Sequence, residues 1–433
     1  MFMQNSFRSL CATLACLMSL NVSHLVNART FTAKNGKSKV EAKLLLVQGN
    51  YIKLLKEDDG QFIWVNKLHL SEHDQRFIEK QGVHSKTMKA RTRRYVENAA
   101  RNIDRFIENK LRREGIKPNA PASDEQFLRR VYLDVIGRIP TAEEATLFLE
   151  SKSISKRRAL VDQLLQSEGY VSHNFNYWAD ILRAKSRMNG DGAAYLLWIK
   201  DSLRHNKPYD LMVKELLGAQ GYAWENGAIG YYMRDRGMPL DNMAITTRIF
   251  LGTRVECAQC HDHPFEDWTR KQFYEMAAYT YGVNTNLRPG NLRKVQDYIK
   301  VKTEKEEDTK VMAYQKVVED FMQPVLRMQG VHEEKNRQLR LPRDYQYEDV
   351  KPNSLVEPST LFGSELNVIG ENSRRDAFVN WIISSKNERF SRVVANRIWK
   401  KIMGRGVFEP VDDVQSEMEI SKDSFSNVLK KAQ

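Results

Sequence analysis

Cys257, Ala258, Gln259, Cys260 and His261 stand in a row and spell CxxCH. Two thiols three residues apart can form thioethers with the two vinyl groups of a haem, and the imidazole that follows falls to the iron as proximal ligand. Two other uses of the same sulfurs stay open. A redox CxxC of the thioredoxin kind belongs to a βαβ unit, and the helical patterns over Met243 to Phe250 and Phe273 to Tyr279 do not supply one. Zinc held by Cys257, Cys260, His261 and His263 is the other, although adjacent Cys260 and His261 fit badly around one tetrahedral ion. The spacing favours haem c at Cys257, Cys260 and His261, with zinc or no cofactor as the alternative. His263, followed by Pro264, reads as a supporting residue or an alternative metal ligand, because two residues do not reach round a porphyrin. For the distal side the candidates are Met233, Met238, Met243, Met276 and His173, each equally a packing or surface residue. Methionine there would raise the potential, histidine would lower it, and an open position would admit ligand chemistry.

Export makes the pair stand out. The first 28 residues carry one charge, Arg8, ahead of an apolar stretch around Leu10 to Leu20, and end in Val26-Asn27-Ala28, the small-residue pattern of a signal-peptidase site. Ser19, Asn21, Ser23 and His24 interrupt the run too early for a comfortable bilayer span. Residues 1–28 are therefore expected to be a signal peptide, the mature chain to begin near Arg29, and the protein to be exported to the periplasm, cell envelope or exterior with no transmembrane span. Of four cysteines, Cys11 and Cys16 would leave with the signal, so Cys257 and Cys260 remain as a single pair rather than a disulfide framework.

Composition excludes several classes. With 41% hydrophobic, 28% charged and 10% aromatic residues, 433 residues can bury real cores, exceed what one core usually serves, and are neither collagenous nor wholly disordered. The net charge of +13, from 68 Lys and Arg against 55 Asp and Glu, speaks to solubility and nonspecific attraction. No zinc-finger spacing, RNA-binding signature or long basic region points to a specific nucleic acid; Lys89, Arg91, Arg93 and Arg94 read as a solvated cluster.

The elements around the motif divide the chain. Over 29–80, Val40, Ala42, Leu44 and Leu46, then Ile52 and Leu54, then Ile63 and Val65 alternate between the turn pairs Gly49-Asn50 and Asp59-Gly60. This predicts hairpins forming a small, partly open β-barrel, closed by a short helix after Ser71. Residues 81–98 are polar and basic, a linker. A helical domain follows over 99–285, with Gly115, Pro118 and Pro121 ending its first run and capping boxes at Ser123/Gln126 and Thr141/Glu144. Residues 286–371, with the tract Lys302 to Lys310 and the turns at Pro342 and Pro352, read as a charged extended connector; helices resume over 372–433. The expected class is multidomain and mainly α.

Two stretches resemble known families. Residues 29–80, opening Arg29-Thr30-Phe31 and closing in Leu70-Ser71-Glu72-His73-Asp74, resemble the SLA-one homology domain, an SH3-like module. The resemblance implies a protein partner for this β-domain, since members bind short peptide motifs and ubiquitin. Phe31, Tyr51, Phe62 and Trp64 could line a groove, although aromatics in so small a domain are more often core. The blocks IDRFIENKLRREGIKP, FLRRVYLDVIGRIPTAEEATLFL and TTRIFLGTRVECAQCHDHPFEDWTRKQFYEMAAY resemble, in order, the planctomycete-type cytochrome-like domain, and NSRRDAFVNWIISSKNERFSRVVANRIWKKIMGRGVFEPVDD its usual C-terminal partner. This implies an exported protein with a haem c site at Cys257, Cys260 and His261 and attaches no reaction to it. The partner domain ordinarily continues beyond the Pro410-Val411-Asp412-Asp413 block, so a truncated version is expected here.

Two functional readings result. One is an exported monohaem protein that transfers electrons or couples redox state to an unidentified partner, not a stand-alone enzyme. The other is an envelope adaptor or scaffold with a structural metal or disulfide at the cluster. A polymer hydrolase has little support: Asp262, Glu266 and Asp267 read as supporting or solvated acids, and Trp178, Trp198, Trp224 and Trp268 could stack on sugars but sit where core is expected.

Overall fold

The computed structural model describes residues 28–48, 51–58, 62–187, 191–287, 330–362, 373–384 and 387–414. Most of the expected signal peptide, both β-turn pairs, the charged tract 302–310 and the residues after 414 lie outside these.

Four strands, β1 (Arg29–Thr32), β2 (Lys39–Gln48), β3 (Tyr51–Lys56) and β4 (Phe62–Asn66), pair antiparallel in sequence order. The alternation does what period two requires: Phe31, Ala42, Leu44, Ile52 and Leu54 all turn to one small core with Leu70 and Ile78. The sheet order ends at β1 and β4, which do not pair, so the barrel is not closed. Phe31 is core, 1% exposed, and not groove lining. Tyr51 is half-buried with the Lys207 ammonium 5.4 Å from its ring centre, while the side chains of Phe62 and Trp64 lie outside the described residues.

The helix after Ser71 is not short. α1 runs Glu72–Arg113, straight through the basic stretch read as a linker. The reason is composition: apart from Gly82 the segment contains no glycine and no proline, and Lys, Arg, Glu and Ala are good helix formers. Its start is fastened to the sheet by Asp74, which is 2% exposed. The Asp74 carboxylate accepts from the Thr32 amide (2.8 Å) and the Ser71 hydroxyl (2.8 Å) and pairs with Arg29 (2.7 Å). Gly115, in the left-handed region, follows its end as expected.

Both predicted capping boxes form, opening α2 (Asp124–Ile136) and α3 (Ala142–Glu150). With α4 (Lys156–Leu165) they bury a satellite cluster around Leu128, Tyr132, Phe148 and Leu160. Then come α5 (Glu168–Ile181), α6 (Asp191–Arg204), α7 (Tyr209–Leu217), strand β5 (Gly221–Tyr222), α8 (Gly230–Met233), α9 (Pro239–Leu251), α10 (Arg270–Ala277), β6 (Val283–Leu287), β7 (Gly330–Glu333), α11 (Arg374–Ile382) and α12 (Glu388–Met403). β7 is the middle strand of the sheet β5-β7-β6.

One hydrophobic core reaches from Trp178 to Phe390 and takes in α11 and α12. It also takes in the part of the expected connector that is described: Val331, Leu339, Leu341, Tyr345, Val356 and Leu361 are all buried there. The charged tract dominates the composition of 286–371, but these scattered apolar residues decide where 330–362 goes. Among the described residues no helix is long and apolar enough to cross a membrane.

Candidate functional site

The CxxCH segment begins six residues after Leu251, the end of α9. Gly252 caps that helix with φ +57°, and a Cβ there would stand 2.7 Å from Val393 Cγ2 and 2.8 Å from Val414 Cγ2, so both the backbone and the close packing require glycine. Cys257–Gln259 then form a 3-10 turn closed by the Cys260 amide on the Cys257 carbonyl (3.1 Å). Residues three apart eclipse in such a turn, which brings the two cysteines to one side of it. Ala258 is fully buried and seats the turn on the core, whereas Cys257 and Cys260 are exposed and not joined by a disulfide.

His261 is exposed, and its Nδ1 lies 2.6 Å from the Asp262 carbonyl oxygen. A carbonyl only accepts, so Nδ1 carries the hydrogen and the Nε2 lone pair is left for another partner. His263 has the opposite arrangement. Its Nδ1 accepts from the Phe265 (3.3 Å) and Glu266 (3.0 Å) amides, and its own amide donates to the Trp268 carbonyl (2.8 Å). It therefore ties the turn through Pro264 as a supporting residue, with only Nε2 outside that network. Among the described residues no group of three or more His, Cys, Asp and Glu is gathered as a metal set.

The turn is braced from three directions, by partners that neither residue type nor spacing marks. From α10, the Arg270 amide donates to Asp262 Oδ1 (2.7 Å), so Asp262 is a structural acid here. From 344–347, the Tyr347 hydroxyl accepts the Asp262 amide (2.7 Å), and Asp344 accepts from the buried Arg270 guanidinium through its carbonyl and carboxylate, 3.1 Å each. From the C-terminal segment, Asp412 joins Arg248 (2.6 Å) and Arg254 (2.8 Å), on either side of the bend that leads to Cys257. The Val414 amide donates to Gly252 (2.6 Å), and Arg397 donates to the Ile249 and Arg248 carbonyls at the end of α9.

Charge follows this geometry. Burial opposes ionisation of Asp412, but the hydrogen bonds from Arg248 and Arg254 outweigh it and hold the carboxyl below its ordinary range. The Asp412 bond in turn raises Arg254. Burial pushes the Tyr274 phenol up, with Arg270 opposing and Cys260 among the groups adding to the rise.

The distal candidates scatter. Met233, Met243 and Met276 are core residues, 6%, 1% and 0% exposed, and Met243 Sδ has the Thr247 hydroxyl at 3.7 Å. Met238 is half-exposed before α9. His173 lies against the end of α2, where an added Cβ on Gly137 would meet its ring at 2.3 Å, and burial together with Lys401 lowers its pKa.

No curated protein and no solved structure matches the chain. Two family models do. Residues 102–285, containing the CxxCH turn, match the model described as PSCyt2, protein of unknown function (DUF1549). Residues 374–423, containing Asp412, match the model described as PSD1, protein of unknown function (DUF1553). The chain is thus similar to the planctomycete-type cytochrome-like domain followed by the start of its C-terminal partner domain, and the clamp of Asp412 on Arg248 and Arg254 joins one matched segment to the other.

Proposed function

We propose that Cys257, Cys260 and His261 hold a covalently attached haem c, and that the protein is exported and works in electron transfer or redox coupling in the cell envelope. The observation that carries this reading is the hydrogen bond from His261 Nδ1 to the Asp262 carbonyl, beside two unpaired exposed thiols on one side of a single turn. It fixes the tautomer in which the Nε2 lone pair is free, which is how an imidazole presents itself to a metal centre. Haem bound there would supply one-electron chemistry. The chain's own part is to hold the donors: Ala258 seats the turn, His263 ties its far side, and Asp412 and Tyr347 fix its two ends.

The N-terminal sheet is the partner-binding element in this reading. Its support is an open groove of about 670 Å³ edged by Lys39, Glu41, Lys56 and Glu57, suited to a polar peptide.

The test is a pyridine haemochrome spectrum with intact mass on protein exported from a host equipped for cytochrome c maturation. The expected result is one haem per chain that survives acid-acetone extraction and is lost in Cys257→Ser/Cys260→Ser. A colourless protein of unmodified mass, or one carrying zinc, overturns the reading.

A further inference from the structure

Of the four tryptophans that sequence alone could have set against a sugar, three are buried or half-buried and Trp224 is 57% exposed. An exposed indole adds little to folding, yet this one is held firmly. Tyr222 stacks on it with ring centres 4.4 Å apart and planes 5° from parallel. Tyr222 belongs to β5 and pairs with Gly330 of β7, and a Cβ at residue 330 would meet Gly221 O at 2.5 Å and Tyr222 Cδ1 at 3.0 Å. Glycine on β7 therefore allows the Tyr222 ring to lie where it does. The loop is closed by the Glu225 carboxylate on the Tyr222 amide (3.1 Å) and by the Glu225 and Asn226 amides on the Tyr222 carbonyl (3.0 and 2.9 Å).

Two residues beyond Trp224, Asn226 forms one wall of an open cavity of about 540 Å³, with Lys214 and Glu215 of α7 and Asp376 and Asn380 of α11. Glu215 is paired with Lys207. The remaining charges, Lys214 and Asp376, are of opposite sign, so the walls offer donors and acceptors in about equal measure with no net charge to attract an ion.

We propose that this loop and cavity bind a neutral saccharide. A sugar presents C–H faces that pack on an aromatic plane and hydroxyls that both donate and accept; the loop presents the exposed Trp224 indole, and the cavity that begins two residues on at Asn226 adds the Asn380 amide, the Asp376 carboxylate and the Lys214 ammonium. The stack matters because the indole is already held in place when the ligand arrives, which lowers the ordering cost. Anionic glycans are disfavoured by Asp376, with Lys214 the one cation among the described residues that line the cavity. The assignment is independent of haem at Cys257 and Cys260.

Native gel electrophoresis of the full chain through soluble β-glucan, xylan or mannan, with dextran sulfate as the charged comparison, tests it. At least one neutral polysaccharide should retard the protein. Trp224→Ala should weaken that retardation about tenfold, and Asn380→Ala roughly threefold. Because both side chains are exposed, each variant should melt within about 2 °C of the parent. No retardation by any neutral polysaccharide, retardation by dextran sulfate only, or a Trp224→Ala protein retarded like the parent overturns the proposal.

Discussion

The N-terminal sheet and the helical body reach their cores by opposite routes. In the sheet, the core among the described residues comes from residues 31 to 78, and each strand pairs with the next in the chain. In the body, Trp178 and Phe390 belong to one core more than two hundred residues apart in sequence, with pieces of the 330–362 segment between them. Local pairing carries little loop-closure cost, whereas the body is complete only when its last helices arrive. The candidate site sits in the second kind of structure, so the turn that carries the thiols depends on distant residues: Tyr347 and Asp412 are 85 and 150 or more positions from the groups they hold.

The sharpest way to break this contrast is to remove a large side chain from each core. Phe378, fully buried and stacked on Tyr279, should cost about 3–5 kcal/mol as Phe378→Ala and lower the melting of the helical body by roughly 10 °C. Ile52→Ala should cost about 2–5 kcal/mol but confine the loss to the sheet, leaving the main far-ultraviolet transition near its parent value. If both variants shift one common transition equally, the two regions are a single cooperative unit and the contrast is wrong.

Asp412→Asn comes next and asks whether the far C-terminal segment holds the motif. Arg248 and Arg254 are each two-fifths exposed, so solvent screens the pairs and the expected cost is about 1–2 kcal/mol. Hydrogen exchange should rise across 252–262 and stay unchanged in the sheet. An equal rise everywhere would mean a general loss of stability and no local clamp.

Acid should act on the body first. The Asp412 carboxyl is held below its ordinary range, and Glu144 is brought to about 2 chiefly by the Arg138 hydrogen bond. A carboxyl depressed in the folded state binds fewer protons than in the unfolded chain. Its contribution is therefore complete at neutral pH and is lost as pH falls from the ordinary carboxylate range towards about 2. Urea midpoints between pH 7 and 3 should decline, with a smaller decline in Asp412→Asn; an identical slope in that variant would remove Asp412 from the account.

The smallest effect belongs to the thiols themselves. In protein made without haem maturation, Cys257→Ser/Cys260→Ser should change stability by less than about 0.5 kcal/mol, because both side chains are exposed and unpaired. Both should also react with a thiol reagent in the native state. A large loss of stability would show that the pair is a structural element of the body after all.

The sequence was readable where structure follows from neighbours. The boxes Ser123/Gln126 and Thr141/Glu144, the helix-ending Gly115 and the alternation of β2 and β3 were all predicted and all form. It misled where composition competed with context. The basic stretch 81–98 looked like a linker but lies within α1, because charge does not oppose a helix when nothing breaks it. The segment 330–362 looked extended, yet its few apolar residues pack into the shared core.

At the site, the sequence by itself determined the donor types and their spacing, because Cys257, Cys260 and His261 are contiguous and their chemistry is local. It also marked His263 as a supporting residue or an alternative metal ligand, without choosing between them. Only the tertiary structure decided that the two thiols share one side of a 3-10 turn, that the Asp262 carbonyl selects the His261 tautomer, and that Asp412 fastens the approach to the turn. Trp224 was one tryptophan among several until folding left it exposed on Tyr222. The physical reason is the same in each case: residue type and spacing set what a group can do, but which ring nitrogen is free and which indole meets water depend on partners that the chain brings together only when it folds.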